Sequence, residues 1–424
     1  MRSSSSLHAD SAVAVVDPYS SGALLAAEIK RRGHESICVQ STVDIPKMYE
    51  SSFRPHDFDA RIGHEGDIEK TAAQLSGLGT RCVLAGCELG VELADQLSQR
   101  LGLKSNGTRC SAARRNKWRM AEAVRAQGLR TPAQFFASDV QQLRQKLGSQ
   151  GRWPVVVKPL RSSGSDGVCL CGSIAEVEAA FADIVSRKDV FRLTNPGVLV
   201  QEFLSGPEYA IDTVSCRGRH RVAAYWRYGK PSGDVPVLGT DSFELLRWNR
   251  QLHAQLFPFV AGALDSLEIT EGPAHCEVIC VDGTPVLVEV GARLNGGQNP
   301  LISRYCGGYS QVEMTLDAYL TEELFLADLE QPYRLPDVGM RVFLLPRRSG
   351  RLVALSGLSE IESLASYREM HISAKVGRPL PRIAGWVILV HSDNDALHRD
   401  LQRIRHLEAN GLYCCDDLAR EIGP

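Results

Sequence analysis

Glu277 and Glu289 are where chemistry first becomes legible in this sequence. Glu277 lies in His275-Cys276-Glu277-Val278 and Glu289 in Val286-Leu287-Val288-Glu289-Val290. Between them, Asp282-Gly283 is a hairpin signal. Alternation puts Glu277 with Ile279 on one face and Leu287 with Glu289 on one face, and the hairpin can bring the two carboxylates opposite each other. Two carboxylates among apolar neighbours repel unless a cation lies between them. Magnesium suits such oxygen ligands, together with substrate phosphates. Just downstream, Arg293 can neutralise a phosphoryl group in transfer or hold a substrate carboxylate. Asn295 can add a metal or phosphate contact, and Gly296 and Gly297 follow as candidate substrate contacts. A surface hairpin with solvated carboxylates and an arginine salt bridge is the plainer alternative; the apolar flanks argue against it.

Lys158 closes the β-branched run Val155-Val156-Val157. A lysine at the end of a buried strand is costly without a partner, and a phosphate is one such partner. The following Arg161-Ser162-Ser163-Gly164-Ser165-Asp166-Gly167 offers backbone N–H groups and hydroxyls, with glycines that let the backbone approach an anion. It is not a Walker loop, because G-x-x-x-x-G-K-[ST] is absent. An ordinary turn with an edge lysine competes with this reading. Gln201-Glu202-Phe203-Leu204 ends a strand and can present backbone groups to an adenine edge, with Glu208 beyond it for ribose hydroxyls. His275 shares a face with Glu277; it can touch substrate, assist proton removal from an amine, or simply pack beside the site. Tyr225-Trp226 opens an aromatic, basic stretch that either lines a substrate pocket or forms a sheet edge with solvated cations.

These residues need elements to hold them. Val13 to Val16, Ser36 to Gln40 and Cys82 to Ala85 read as strands, with helices over Ala23 to Arg32 and Val91 to Leu101, a pattern that predicts a parallel sheet over residues 1–105. A helical linker is expected over 106–132, from Gly107 to Ala126 with Gly128 as cap. An α+β unit over 133–205 would carry Lys158 and the Ser/Gly loop. The remainder, 206–424, would carry the glutamate hairpin, with a terminal α+β part over 336–424.

With 424 residues, the chain exceeds one ordinary core and suggests two to four units at roughly 150 residues each. A net charge of −2 gives no basic excess for nucleic acid. No apolar run reaches the ~20 residues a membrane helix needs, so no membrane association and a cytoplasmic location are expected. The twelve cysteines form no paired C-x-x-C motif, which argues against zinc and suits reduced thiols.

The order Lys117, Lys158, Ser/Gly loop, Gln201 to Leu204, Glu277 and Glu289, then Arg293 to Gly297, resembles the ATP-grasp superfamily over roughly residues 10–415. Within it, Glu289-Val290-Gly291-Ala292-Arg293-Leu294-Asn295-Gly296-Gly297 and the C-terminal portion from Gly385 to Cys415 are similar to bacterial L-amino acid ligases. The resemblance implies α/β and α+β parts: an N-terminal parallel-sheet domain, a central ATP-lid subdomain and a C-terminal catalytic α+β domain. It implies that Lys117 and Lys158 bind ATP phosphates, and that Ser162, Ser163, Gly164, Ser165 and Gly167 close over them. Residues Glu202, Phe203 and Leu204 would hold adenine and Glu208 the ribose. Glu277, Glu289 and Asn295 would serve two magnesium ions, which manganese can replace. The implied reaction joins two L-amino acids through an aminoacyl phosphate, giving ADP and phosphate, with a homodimer as a family-level expectation. The sequence departs from the pattern at Asn116, where Asp is expected. Rival readings are a carboxylase-type enzyme activating bicarbonate or another small carboxylate, an ATP-sensing module without turnover, and an adenylating ligase.

Overall fold

The computed structural model describes residues 11–148, 153–231, 239–347 and 349–416. The serine run at 3–6 and the last eight residues of the terminal part lie outside them. The chain divides into two compact units. The first comprises residues up to Ala223, Asn249–Pro300 and Gln311–Pro332; the second comprises Ala224–Trp248, Leu301–Ser310 and Tyr333 onward.

The first unit opens with four parallel strands, β1 (Ala12–Val16), β2 (Ser36–Gln40), β3 (Ala60–Gly63) and β4 (Thr80–Ala85), in the order β3-β2-β1-β4. Strand β1 is wholly buried because helices cover both of its faces, which is why it reads as an unbroken apolar run. One face packs Leu93 and Leu97, the other Leu25 and Ile29. The tight join after β4 needs glycine: a Cβ built on Gly90 would stand 2.4 Å from the Val16 carbonyl oxygen.

The stretch expected as one helix from Gly107 to Ala126 is two, Ser111–Arg115 and Lys117–Ala126. Asn116 breaks it with extended backbone, and its side-chain oxygen accepts from the N–H groups of Trp118 and Arg119 at 3.0 and 3.1 Å. Asn116 is therefore the N-cap of the second helix, a task Asp performs equally well. The departure at residue 116 keeps the local structure.

Next come β5 (Gln134–Ala137), β6 (Val155–Lys158), β7 (Cys169–Cys171) and β8 (Val198–Glu202), an antiparallel sheet in the order β5-β8-β6-β7. Helices Val140–Leu147 and Ile174–Ser186 close one face around Leu143, Val177 and Ile184. Strand β9 (Glu208–Cys216) leads into β10 (Arg219–Gly229), along which the chain passes into the second unit and on to β11 (Ser242–Leu246). The first unit then resumes with helix Arg250–Ser266, β12 (Gly272–Val281) and β13 (Thr284–Gly291). There β12 lies between β13 and β9.

In the second unit β14 (Val338–Leu344) pairs antiparallel with β11 and β17 (Gly385–His391), and β16 (Tyr367–Ile372) flanks β17. Strand β15 (Arg351–Leu355) pairs with β18 (Tyr413–Asp416). Met340, Val342 and Leu344 alternate into a core closed by Leu397 and Ile404 of helix Asn394–Ala409. Among the described residues, no helix is long and apolar enough to cross a membrane. Among the described residues, no two cysteines are joined in a disulfide.

Candidate functional site

The hairpin of β12 and β13 turns at Asp282 and Gly283, both with positive φ, as a two-residue turn demands. From that turn Val281 pairs with Thr284 and Ile279 with Val286, a register that would set Glu277 opposite Val288 and send Glu289 to the other face. The register shifts between Glu277 and Val278, and beyond the shift Glu277 pairs with Glu289. A bulge thus places the two carboxylates side by side where simple alternation would separate them. Both keep part of their side chains accessible, 24% for Glu277 and 23% for Glu289, which suits groups that receive a ligand.

Two lysines converge on this pair. Lys117, at the start of its helix, sends Nζ to Glu289 Oε1 at 2.8 Å and to the Ser162 carbonyl at 3.1 Å, while its backbone N–H binds the Leu160 carbonyl. It therefore ties the carboxylate to the entrance of the Ser/Gly loop. Lys158, at the end of β6, is 5% exposed and has no hydrogen bond or ion pair among the described residues. Burial, then the Lys117 charge, pull its pKa down to about 8, against the attraction of Glu289, Glu277 and Glu208. An anionic partner would relieve this lysine. The loop after it bends through Gly164, Ser165 and Gly167 at positive φ, and Asp166 anchors it to Arg187 at 3.0 Å.

Arg293 is buried beside the hairpin. Its Nε donates to Glu88 Oε2 at 3.1 Å and its Nη1 to the Leu294 carbonyl at 2.9 Å. Glu88 also accepts from Arg115 Nη1 at 2.5 Å. Burial alone would raise the Glu88 pKa, but Arg115, Arg293 and Lys117 hold it below the usual carboxylate range. Gly291 leaves room for this arrangement, since a Cβ there would lie 3.0 Å from Arg293 Cζ. The loop beyond is held from the first parallel strand's end: Ser20 Oγ accepts from Gly297 N–H at 2.8 Å and Ser21 Oγ from Gln298 N–H at 2.9 Å.

His275 is bonded on both ring nitrogens, Nδ1 to Asp212 Oδ1 at 2.7 Å and Nε2 to Glu277 Oε1 at 3.3 Å. Burial lowers its pKa, but the two carboxylates more than reverse that, lifting it to about 9. Asp212 also accepts from Asn295 Nδ2 at 2.9 Å, and Asn295 Oδ1 accepts from Asn299 at 3.2 Å. His275, Asp212 and Asn295 therefore form a buried chain behind Glu277.

Glu202 is engaged with the backbone of Ala133, through its N–H at 2.9 Å to the carbonyl and its carboxylate at 3.0 Å from the N–H. Phe203 and Leu204 follow it part-exposed, and Glu208 starts β9, nearly buried. Tyr225 and Trp226 lie in the second unit, both fully enclosed; the Tyr225 N–H donates to Tyr333 Oη at 3.3 Å. Glu88, Arg115, Asp212, Ser20 and Ser21 escaped the sequence reading. Glu88 had one signal, its place directly after a parallel strand, where α/β sheets put ligand-facing groups. Asp212, inside the apolar run of β9, had none beyond being a carboxylate among β-branched neighbours.

Among the described residues, no cluster of three or more His, Cys, Asp or Glu is arranged to hold a metal ion alone. Two facing carboxylates do fit a cation that completes its shell with phosphate oxygens and water, as magnesium does.

The family described as "ATP-grasp domain" matches residues 151–300. Dapdiamide A synthase of Enterobacter agglomerans is 33% identical over 332 residues, spanning 76% of each chain. The L-arginine-specific L-amino acid ligase of Bacillus subtilis is 22% identical over 284 residues, spanning 65% of each. Among solved structures, the L-amino acid ligase from Bacillus licheniformis superposes with a TM-score of 0.74 at 19% identity, covering 94% of this chain and 98% of its own.

Proposed function

Because this chain belongs to the ATP-grasp family and is an ADP-forming carboxylate–amine ligase, we propose that it joins two L-amino acids into a dipeptide through an aminoacyl phosphate. The observation that carries the reading is the pairing of Glu277 with Glu289, with Lys117 on the latter and the unpartnered Lys158 beside them. The relatives named dapdiamide A synthase and L-arginine-specific L-amino acid ligase support the choice of substrates.

ATP would lie with its phosphates against Lys158 and Lys117 and under the loop of Ser162, Ser163, Gly164, Ser165 and Gly167. Its adenine would sit at Glu202, Phe203 and Leu204 and its ribose at Glu208. Magnesium, held by Glu277 and Glu289 and one or two in number, would supply positive charge to the phosphate oxygens; Asn295 would support it from behind through Asp212 and His275. A carboxylate oxygen of the first amino acid attacks the γ-phosphorus as the bond to the β-bridging oxygen breaks, leaving ADP. The amine of the second then attacks the acyl carbon and loses a proton, and phosphate departs. Arg293, held by Glu88, faces the charge that develops on the acyl oxygen and the leaving phosphate. Gly296 and Gly297, in the loop that Ser20 pins at Gly297 and Ser21 at Gln298, let substrate approach the backbone. Closure of the Ser/Gly loop excludes water, which would otherwise hydrolyse the acyl phosphate.

The test is phosphate release from ATP and magnesium with amino acids supplied singly and in pairs, and products weighed by mass spectrometry. Release that requires a particular pair, with ADP and a dipeptide mass, supports the proposal. Release with bicarbonate or another carboxylate and no amino acid overturns the dipeptide assignment.

A further inference from the structure

Strand β14 of the second unit alternates Met340, Val342 and Leu344 into the core, which leaves Arg341 on the opposite face. There it is 3% exposed. Its guanidinium carbon lies 4.9 Å from the centre of the Trp386 ring, one strand away on β17. The Trp386 face attracts a cation, and yet it offers no hydrogen-bond acceptor to the N–H groups. Nε and Nη2 of Arg341 are buried and have no hydrogen-bond partner among the described residues. Those two nitrogens form one edge of the guanidinium, the pair of parallel donors that a planar carboxylate takes side-on. Burial without a partner pulls the Arg341 pKa down to about 10, which leaves it a cation at neutral pH.

Among the described residues, no group fills that edge. Glu369 acts on Arg341 electrostatically but forms no ion pair with it, and its Oε2 instead accepts from Tyr305 Oη at 3.4 Å. Trp386 itself is only part-buried, so the ring that covers Arg341 reaches the surface. A buried, ionised guanidinium with two idle donors is expensive unless an anion joins it.

We propose that Arg341 and Trp386 form a binding site for a carboxylate-bearing small molecule, whose two carboxylate oxygens accept from Nε and Nη2. Glu369 disfavours a second negative charge nearby, which selects a monoanionic carboxylate over a dianionic phosphate. This site lies within the second unit, and the inference stands independently of the dipeptide reading.

Trp386 supplies the readout. The full chain is titrated with sodium acetate, inorganic phosphate and sodium chloride at matched ionic strength while tryptophan emission is followed, with Trp386→Phe subtracting the other tryptophans. The expected result is a saturable change with acetate, weaker with phosphate and absent with chloride. Arg341→Met should weaken it at least tenfold, and Arg341→Lys, which keeps the charge and loses the two-donor edge, should weaken it less. ATP-induced thermal stabilisation checks that each variant is folded, and Arg341→Lys carries the test where Arg341→Met is not. No saturable response, an equal response to chloride, or an acetate response that survives in the folded Arg341 variants overturns the site. Tighter binding of phosphate than acetate overturns the carboxylate assignment.

Discussion

Glu88 grips Arg293 with one carboxylate oxygen, at 3.1 Å from Nε, and Arg115 with the other, at 2.5 Å from Nη1. One carboxylate thus neutralises two buried guanidiniums and fixes the arginine that faces the proposed acyl transfer. Glu88→Ala removes the carboxylate hydrogen-bonded to both cations and is expected to cost roughly 3 kcal/mol, read as a shift in the urea midpoint. Glu88→Gln keeps the shape and one acceptor. It should lower kcat by about tenfold or more through misplacement of Arg293, with little change in the KM for ATP. An unchanged kcat in Glu88→Gln would mean that Arg293 needs no such support.

Lys158 makes the pH dependence specific. Its pKa in the free protein is lowered from 10.5 to about 8, so below pH 8 it is charged and the fold bears the full cost of burying that charge. The cost fades as pH rises from about 8 toward 10.5, the reverse of a stabilising ion pair. Nucleotide phosphates would restore the lysine's proton, so ATP binding should take up a proton in this window and weaken as pH rises above 8. Calorimetry in buffers of different ionisation enthalpy measures that uptake. Lys158→Met should abolish the uptake and turnover while stabilising the free protein at pH 7, by up to roughly 3 kcal/mol. A free protein destabilised by this change contradicts the assignment.

Glu289 carries two duties, facing Glu277 in the hairpin and binding Lys117 at 2.8 Å. Glu289→Gln keeps the size and removes the charge, so circular dichroism should be unchanged. Phosphate release should fall to background, and added magnesium should no longer raise ATP affinity. Normal turnover in this variant would remove the hairpin from the proposed mechanism.

The hairpin also marks the limit of what the chain discloses by itself. Asp282-Gly283 and the flanking apolar residues announce the turn and both strands. Alternation counted from that turn, however, sends Glu289 to the wrong face, and only the bulge at Glu277 and Val278 corrects it. A bulge has no local signature here, because it answers to what β9 and β13 must present together. The same holds at Asn116. Good helix formers on either side hide a break that exists to aim Lys117 at Glu289 and the Ser162 carbonyl. Lys158, by contrast, stands out in sequence because a charge in a β-branched run is itself anomalous. Residues that act by holding others, such as Glu88 and Asp212, carry no such anomaly; their partners are distant in sequence and become visible only when the strands meet.

Gly291 offers the most discriminating test of that packing. It ends β13 two residues before Arg293, and its φ is not in the left-handed region, so alanine there brings no backbone strain of its own. The obstacle is space: the added methyl would lie 3.0 Å from Arg293 Cζ, 3.1 Å from Nη2 and 3.2 Å from Glu88 Oε2. Those distances are shorter than carbon contacts tolerate, so the guanidinium must move by a few tenths of an ångström or more. A flexible side chain gives way more easily than backbone, and the loss of stability should stay near 1 kcal/mol. Displacing the arginine should lower kcat by about tenfold while the KM for ATP holds, because Lys117 and Lys158 are untouched. Steady-state kinetics with thermal melts separates the two effects. If kcat falls only in proportion to folded protein, Gly291 serves packing alone, and the position of Arg293 is less critical than the network with Glu88 implies.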